Sequence, residues 1–309
     1  MSQIEEDIDE QPGVVARAPA ANAEGLDEAC SLIGRARAVR FLAIGSSRHA
    51  AGYGAAAVDH LAGVPSGVLA APGWGTPPPP VAEADVIVAV SQSGATPALV
   101  EAVAHCRDRG ATVIAVTNEL QSPLESLAQL TLNCGAGTER VVAATKSVTS
   151  AMVLLRAAAA PLEAEAVAVL RRALDDLLGR DLSPFATGDP PAWVVAGGIA
   201  AGWVADEVAL KLAEVAGLVV GAESVVEFLH GPTAAAGPVL ALVDPDDPNA
   251  ARLRDRDRTV MVTPPCTGDP WLDPIVTLVA GQRLAVAWSV ALHRDPDSPR
   301  GLAKVTRTT

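Results

Sequence analysis

The chain has 309 residues, half of them hydrophobic and only 3% aromatic. That length accommodates two domains, and a core so poor in aromatics is built from Ala, Val and Leu, as in closely packed α/β folds. The formal net charge of −13 excludes a nucleic-acid surface, which needs a basic face, but allows a small anionic ligand in a locally positive site.

The four cysteines, Cys30, Cys106, Cys134 and Cys266, form no CxxC pair and no cluster with histidine. This pattern predicts reduced, buried thiols, no metal site and a cytoplasmic protein. The opening MSQIEEDIDEQP is acidic and lacks the apolar centre of a signal peptide. The longest charge-free stretch, 61–82, holds six prolines, and 191–205 is too short to span a bilayer, so no membrane segment is expected.

In chain order, 40–45 (RFLAIG) reads as a strand and 48–62 as a helix. A short apolar run at 66–71 is followed by the loop TPPPP at 76–80. A strand at 85–90 leads to a helix at 96–109, with Gly110 as its C-terminal stop. Next come a strand at 112–116, a helical turn at 124–128, a strand at 131–134 and a helix from Thr145 to Ala160. A charged helix at 163–179 and the turn-rich stretch 181–191 lead to a second block, which opens with AWVVAGG at 192–198. That block adds strands at 238–243 and 258–264, a charged excursion at 244–258, and a segment at 275–292 that reads first as strand and then as helix. Strands that are continuous apolar runs and alternate with helices predict parallel sheets covered on both faces. The stretches 41–63 and 193–217 share a strand, a glycine-containing turn and a long helix, which reads as internal duplication.

The strand at 85–90 ends abruptly in Ser91-Gln92-Ser93-Gly94-Ala95-Thr96. The carboxyl end of a parallel strand leading into a helix N-terminus is where open α/β sheets bind ligands, and the helix dipole favours an anion there. Ser91, Ser93 and Thr96 offer hydroxyls, Gln92 an amide, and Gly94 close backbone approach, a set suited to a phosphate monoester. The competing reading is an ordinary Ser/Thr helix cap. The turn Gly45-Ser46-Ser47-Arg48 is a parallel supplier at another strand end. Neither stretch is a Walker loop or a GxGxxG fingerprint.

SQSGAT resembles the SQSGET-type motif of the SIS, or sugar isomerase, phosphosugar family, and the likeness extends along the chain. DEQPGVV resembles an EQP opening, GSSRHAAG a CGTSxxSG turn, AGTERVVAATKSVTS (136–150) an AGTExxVASTKAFT segment, ALKLAEVAG an ALKLKE helix, FLHGP a KHGP motif, and SPRGLAKVT a PRNLAKSVT tail. Six motifs in order are similar to the isomerase module of glutamine–fructose-6-phosphate amidotransferases and to stand-alone SIS-type glucosamine-6-phosphate deaminases. The resemblance implies two tandem SIS subdomains, each a flavodoxin-like five-stranded parallel sheet flanked by helices. The corresponding division is 1–162, a connecting helix and linker at 163–191, and 192–309 with a C-terminal active-site tail. It also implies a homodimer that binds a sugar phosphate.

Glu207, Lys211 and Glu214 fall at i, i+4 and i+7 of one helix and so share a face; a solvated salt-bridge stripe is the plainer reading of that spacing. The resemblance makes Glu214 the acid/base that moves a proton between sugar C1 and C2, with Lys211 and Glu207 orienting it. It makes His230 the group that protonates the ring oxygen, a task suited to imidazole. Lys304 becomes a tail lysine able to form an imine with the open-chain sugar, with Arg300 as its anchor. Ser46, Ser47, Ser91, Gln92, Ser93 and Thr96 are implied to bind phosphate, and Val142, Ala143 and Ala303 to line the sugar. Arg48 and Lys146 are candidates for local positive charge. His49, His60, His105 and His293 receive no role. No metal or organic cofactor is expected.

The chain departs from the family pattern at Ala95, Ala144 and Ile44, where the motifs carry Glu, Ser and Cys. It begins at the EQP segment, with no glutaminase domain ahead of it, and this turns the expectation toward deamination of an aminosugar 6-phosphate to a ketose phosphate and ammonia. Ammonia-dependent synthesis, deglycation of a fructosamine phosphate, plain aldose–ketose isomerisation and a non-catalytic sugar-phosphate sensor are the alternatives.

Overall fold

The computed structural model describes residues 1–70, 80–234 and 237–299. Three helices precede the first strand: α1 (Gln3–Asp9), α2 (Gln11–Ala21) and α3 (Ala23–Arg35). The first α/β series then runs β1 (Ala38–Ala43), α4 (Ser46–Ala57), β2 (Ser66–Val68), β3 (Asp85–Ser91), α5 (Pro97–Asp108), β4 (Thr112–Thr117), β5 (Leu130–Asn133) and α6 (Lys146–Ala159). A π-helical stretch, Val58–Ala62, extends α4. The helix α7 (Ala164–Leu178) leads to the second series: β6 (Trp193–Ala196), α8 (Ala201–Ala216), β7 (Gly221–Ser224), α9 (Val225–His230), β8 (Val239–Leu242), α10 (Ala250–Arg254), β9 (Thr259–Val262) and α11 (Asp273–Ala291).

The chain divides into two compact units. Among the described residues, one contains 13–139 and 146–167; the other contains 1–12, 140–145 and 168–299.

In the first of these the sheet order is β2-β1-β3-β4-β5, all parallel. Every residue of β3 is buried, as a central parallel strand covered on both faces requires. On one face Leu42, Ile87, Ala89, Val113 and Ala115 pack against Leu99, Val103 and Cys106 of α5. The small side chains permit close contact: a Cβ on Gly54 of α4 would lie 2.8 Å from Leu155 of α6.

In the other unit the order is β7-β6-β8-β9, again parallel, so the two sheets share one winding pattern. In each, the first strand sits next to the edge strand that follows its helix, which agrees with the duplication read from 41–63 and 193–217. Phe228 of α9 closes the core on Val195, Val239 and Ala241 and meets Trp193 edge-on at 5.7 Å.

This second sheet has four strands among the described residues, where five were expected. The apolar start of 275–292, read as strand, lies inside α11 instead. That helix is apolar on all sides, so its sequence carries no helical period to distinguish it from a buried strand. It packs on α8, where a Cβ on Gly281 would lie 2.3 Å from Val208 Cγ2. By length and composition α11 could cross a membrane, but 72% of its most apolar 18-residue window is buried within the fold, as in a core helix.

Candidate active site

Ser91 ends β3 in register with Thr117 at the end of β4, so the strands deliver two hydroxyl residues side by side. Beyond Ser91 the chain turns at Gly94, whose φ of 59° lies in the left-handed region. Gly94 N–H donates to Ser91 Oγ at 3.1 Å and Ala95 N–H donates to Ser93 Oγ at 3.3 Å. A hydroxyl that accepts from an amide keeps its own proton to donate. Thr96 occupies the N-cap of α5 but makes no side-chain cap hydrogen bond, so the plain helix-cap reading does not describe it.

A second loop backs the turn. Leu124 N–H donates to the Gly94 carbonyl at 3.0 Å, Asn118 N–H to the Gln92 carbonyl at 3.1 Å, and Thr117 Oγ1 to the same carbonyl at 3.3 Å. Ser122 lies so close that a Cβ on Gly94 would sit 2.2 Å from its Oγ. Thr117 and Ser122 are parts of this cradle that sequence reasoning missed. The hydroxyl at the end of an apolar strand was a usable signal for Thr117; Ser122 carries none. On the neighbouring strand, Gly45 (φ 63°) caps α4, and Ser46 and Ser47 are its first two residues, partly exposed. The sheet therefore brings both predicted serine-bearing turns to the carboxyl ends of adjacent strands, at two helix N-termini.

Glu139 and Ser147 lie in the same unit. The buried Glu139 carboxylate accepts from Ser147 N–H at 3.1 Å and from Ser147 Oγ at 2.8 Å, in the first turn of α6. Lys146 is 1% exposed, a buried cation at the start of that helix.

In the other unit, α8 carries the predicted carboxylate–ammonium set. The Lys211 side chain is fully buried. Its Nζ lies 3.4 Å from Glu207 Oε1 and donates to Glu214 Oε2. Glu207 is 1% exposed and Glu214 15%, so the set is a buried network with one open end, not a solvated stripe. His230 ends α9 and is exposed, ahead of Gly231. Val142 is half-buried and Ala143 buried in the segment 140–145. Arg300, Ala303 and Lys304 lie outside the described residues. Among the described residues no group of three or more His, Cys, Asp or Glu side chains is placed to hold a metal ion.

Residues 32–161, which include the Ser46-Ser47 turn and the SQSGAT cradle, match the family model of the SIS domain. That stretch carries a SIS domain. The glutamine–fructose-6-phosphate aminotransferase (isomerizing) of Aeropyrum pernix is 31% identical over 349 aligned positions, covering 96% of this chain and 56% of the relative. The chain thus spans about half the length of this curated relative. The fold is shared with solved structures, among them two related to amino-sugar phosphates by name. The C-terminal domain of the Francisella tularensis glucosamine–fructose-6-phosphate aminotransferase superposes with a TM-score of 0.77 at 20% identity, covering 97% of this chain and 98% of that one. The glucosamine-6-phosphate deaminase of Thermotoga maritima gives 0.78 at 18% identity, with 99% of each chain covered. The two parallel sheets and these likenesses agree with the α/β fold class that the motifs implied.

Proposed function

We propose that this chain is a phosphosugar isomerase acting as an aminosugar-6-phosphate deaminase, with glucosamine 6-phosphate as substrate. The observation that carries the reading is the buried Glu207–Lys211–Glu214 network, with Glu214 as its open end. A carboxylate that must take a proton from one carbon and return it to the next needs a fixed direction and limited solvent, and α8 supplies both. The serine-rich cradle and the names of the relatives support a sugar phosphate as the ligand.

In this reading Ser46, Ser47, Ser91, Gln92, Ser93 and Thr96 hold the phosphate. His230 protonates the ring oxygen as the hemiacetal opens. Glu214 removes the proton from C2 and delivers it to C1, converting the amino aldose to a ketose imine. Lys211 and Glu207 hold the Glu214 carboxylate in place. Water adds to C2 of the imine, and the C2–N bond breaks to release ammonia and fructose 6-phosphate. Lys304 and Ala303 act from the tail, with Lys304 able to hold the open-chain carbonyl as an imine. The protein works as a homodimer in the cytoplasm, with no organic cofactor.

The test is an assay of glucosamine 6-phosphate turnover, following ammonia and fructose 6-phosphate together. Wild type gives both in equal amounts, and Glu214→Gln, which keeps shape but cannot take the proton, loses about 10²–10⁴-fold in rate. Interconversion of aldose and ketose phosphates without ammonia release would replace deamination by plain isomerisation. Saturable sugar-phosphate binding with no turnover of either kind would replace the enzyme by a sensor.

A further inference from the structure

The Glu10-Gln11-Pro12 opening has no part in the chemistry above, yet Gln11 is fully buried. Its Nε2 donates to Gln282 Oε1 at 2.7 Å and to the Ile8 carbonyl at 3.3 Å. Gln282 lies on the apolar helix α11 and is 1% exposed. Its own Nε2 reaches the Thr145 carbonyl at 3.5 Å. Two amides buried in so apolar a setting are costly unless paired, and here they pair with each other and with one end of the segment 140–145.

The other end of that segment is tied to α1. Arg140 N–H donates to Asp7 Oδ2 at 2.7 Å, and the guanidinium pairs with Asp7, with Glu10 at 2.7 Å and with Glu6 at 3.4 Å. The Asp7 side chain is completely buried. Both ends of a six-residue stretch are thus fixed by polar contacts to helices far away in sequence, one to the buried Gln282 amide and the other to the buried Asp7 carboxylate. Apolar packing tolerates sliding by fractions of an ångström; buried hydrogen bonds of this kind specify one register. Val142 and Ala143 sit between the two ties.

We propose that Asp7, Gln11 and Gln282 are positioning residues that set the affinity for the sugar by fixing the backbone of 141–144. This rests on the sugar-phosphate reading above together with the family resemblance, which implies that Val142 and Ala143 line the sugar. The braces act on the sugar-lining segment, whereas the phosphate cradle has its own support from residues 117–124. Loss of a brace therefore weakens sugar-phosphate binding and leaves inorganic phosphate binding alone.

The experiment uses the full chain and three proteins: wild type, Gln282→Met and Asp7→Asn. Titration calorimetry gives Kd for fructose 6-phosphate and for inorganic phosphate, and steady-state assays give KM and kcat for glucosamine 6-phosphate. Each variant raises the fructose 6-phosphate Kd and the KM by about tenfold, while the inorganic phosphate Kd stays within about twofold. If Asp7→Asn does not fold, Arg140→Gln, whose side chain is 34% exposed, carries the same expectation. Equal weakening of both ligands, or of neither, overturns the brace while wild-type binding leaves the sugar-phosphate reading standing. A wild type that does not bind fructose 6-phosphate overturns both, and that result is visible before any variant is made.

Discussion

The Lys211 ammonium lies 3.4 Å from the Glu207 carboxylate one helical turn earlier, and neither side chain is more than 1% exposed. Taking both charges out of water is costly, and each is tolerated because the other is there. Lys211→Met leaves a buried carboxylate without its cation. The expected loss is about 3–5 kcal/mol, read from urea unfolding. The double variant Lys211→Met with Glu207→Gln removes the stranded charge and recovers most of that loss. Equal destabilisation in single and double variants would show that the pair is not coupled.

Gly94 and Ser122 form the tightest point of the cradle. Gly94→Ala places a methyl group 2.2 Å from Ser122 Oγ on a backbone with φ of 59°. The turn then opens, and the Kd for inorganic phosphate rises by about tenfold or more. Adding Ser122→Gly removes the clash but not the left-handed backbone cost of about 1 kcal/mol. The double variant therefore regains part of the affinity, and calorimetry with inorganic phosphate reads both steps.

The contact between α8 and α11 depends on Gly281. Gly281→Ala drives a Cβ to 2.3 Å from Val208 Cγ2, and overpacking of this kind costs about 1–3 kcal/mol. Val208→Ala in the same chain makes room, so the double variant melts closer to wild type than Gly281→Ala does. Scanning calorimetry checks the order of the three melting temperatures.

Burial pushes the Cys106 thiol up to about 11 and the Cys134 thiol up to about 12, while Cys266 is exposed. Cys266 therefore reacts first with a thiol reagent at pH 8, and Cys106 and Cys134 react only on unfolding. The same shifts predict a pH dependence. Above the ordinary thiol value of 9.0 the unfolded chain loses these protons while the folded chain keeps them. The thiol contribution is present below pH 9 and is lost as pH rises toward about 11 for Cys106 and about 12 for Cys134. Urea midpoints from pH 8 to 11 fall less steeply in Cys106→Ala/Cys134→Ala than in wild type.

Much of this protein was legible in its sequence because the signals were local. An apolar run such as 85–90, cut off by Ser91 to Thr96, marks a strand end and a helix start within a dozen residues. The i, i+4, i+7 spacing of Glu207, Lys211 and Glu214 placed them on one face without any coordinates. Glycines at 45, 94 and 110 marked turns, and each adopts a positive φ. Fold class, the two strand–helix series and the candidate cradle follow from such patterns.

Tertiary structure decided what no local pattern carries. Helix α11 is apolar on every side, so only its packing on α8 distinguishes it from a strand. The same spacing on α8 suits a solvated stripe or a buried network, and only the surrounding core selects burial. Ser122 behind Gly94, Asp7 on Arg140 and Gln11 on Gln282 join residues separated by 28, 133 and 271 positions in the chain. Propensity and capping act over one or two turns of helix, whereas such pairings exist only after the sheets and helices have packed. For that reason local sequence sets the kinds of element and the chemical groups they offer, and the packed fold selects which of those groups are buried, braced or left open.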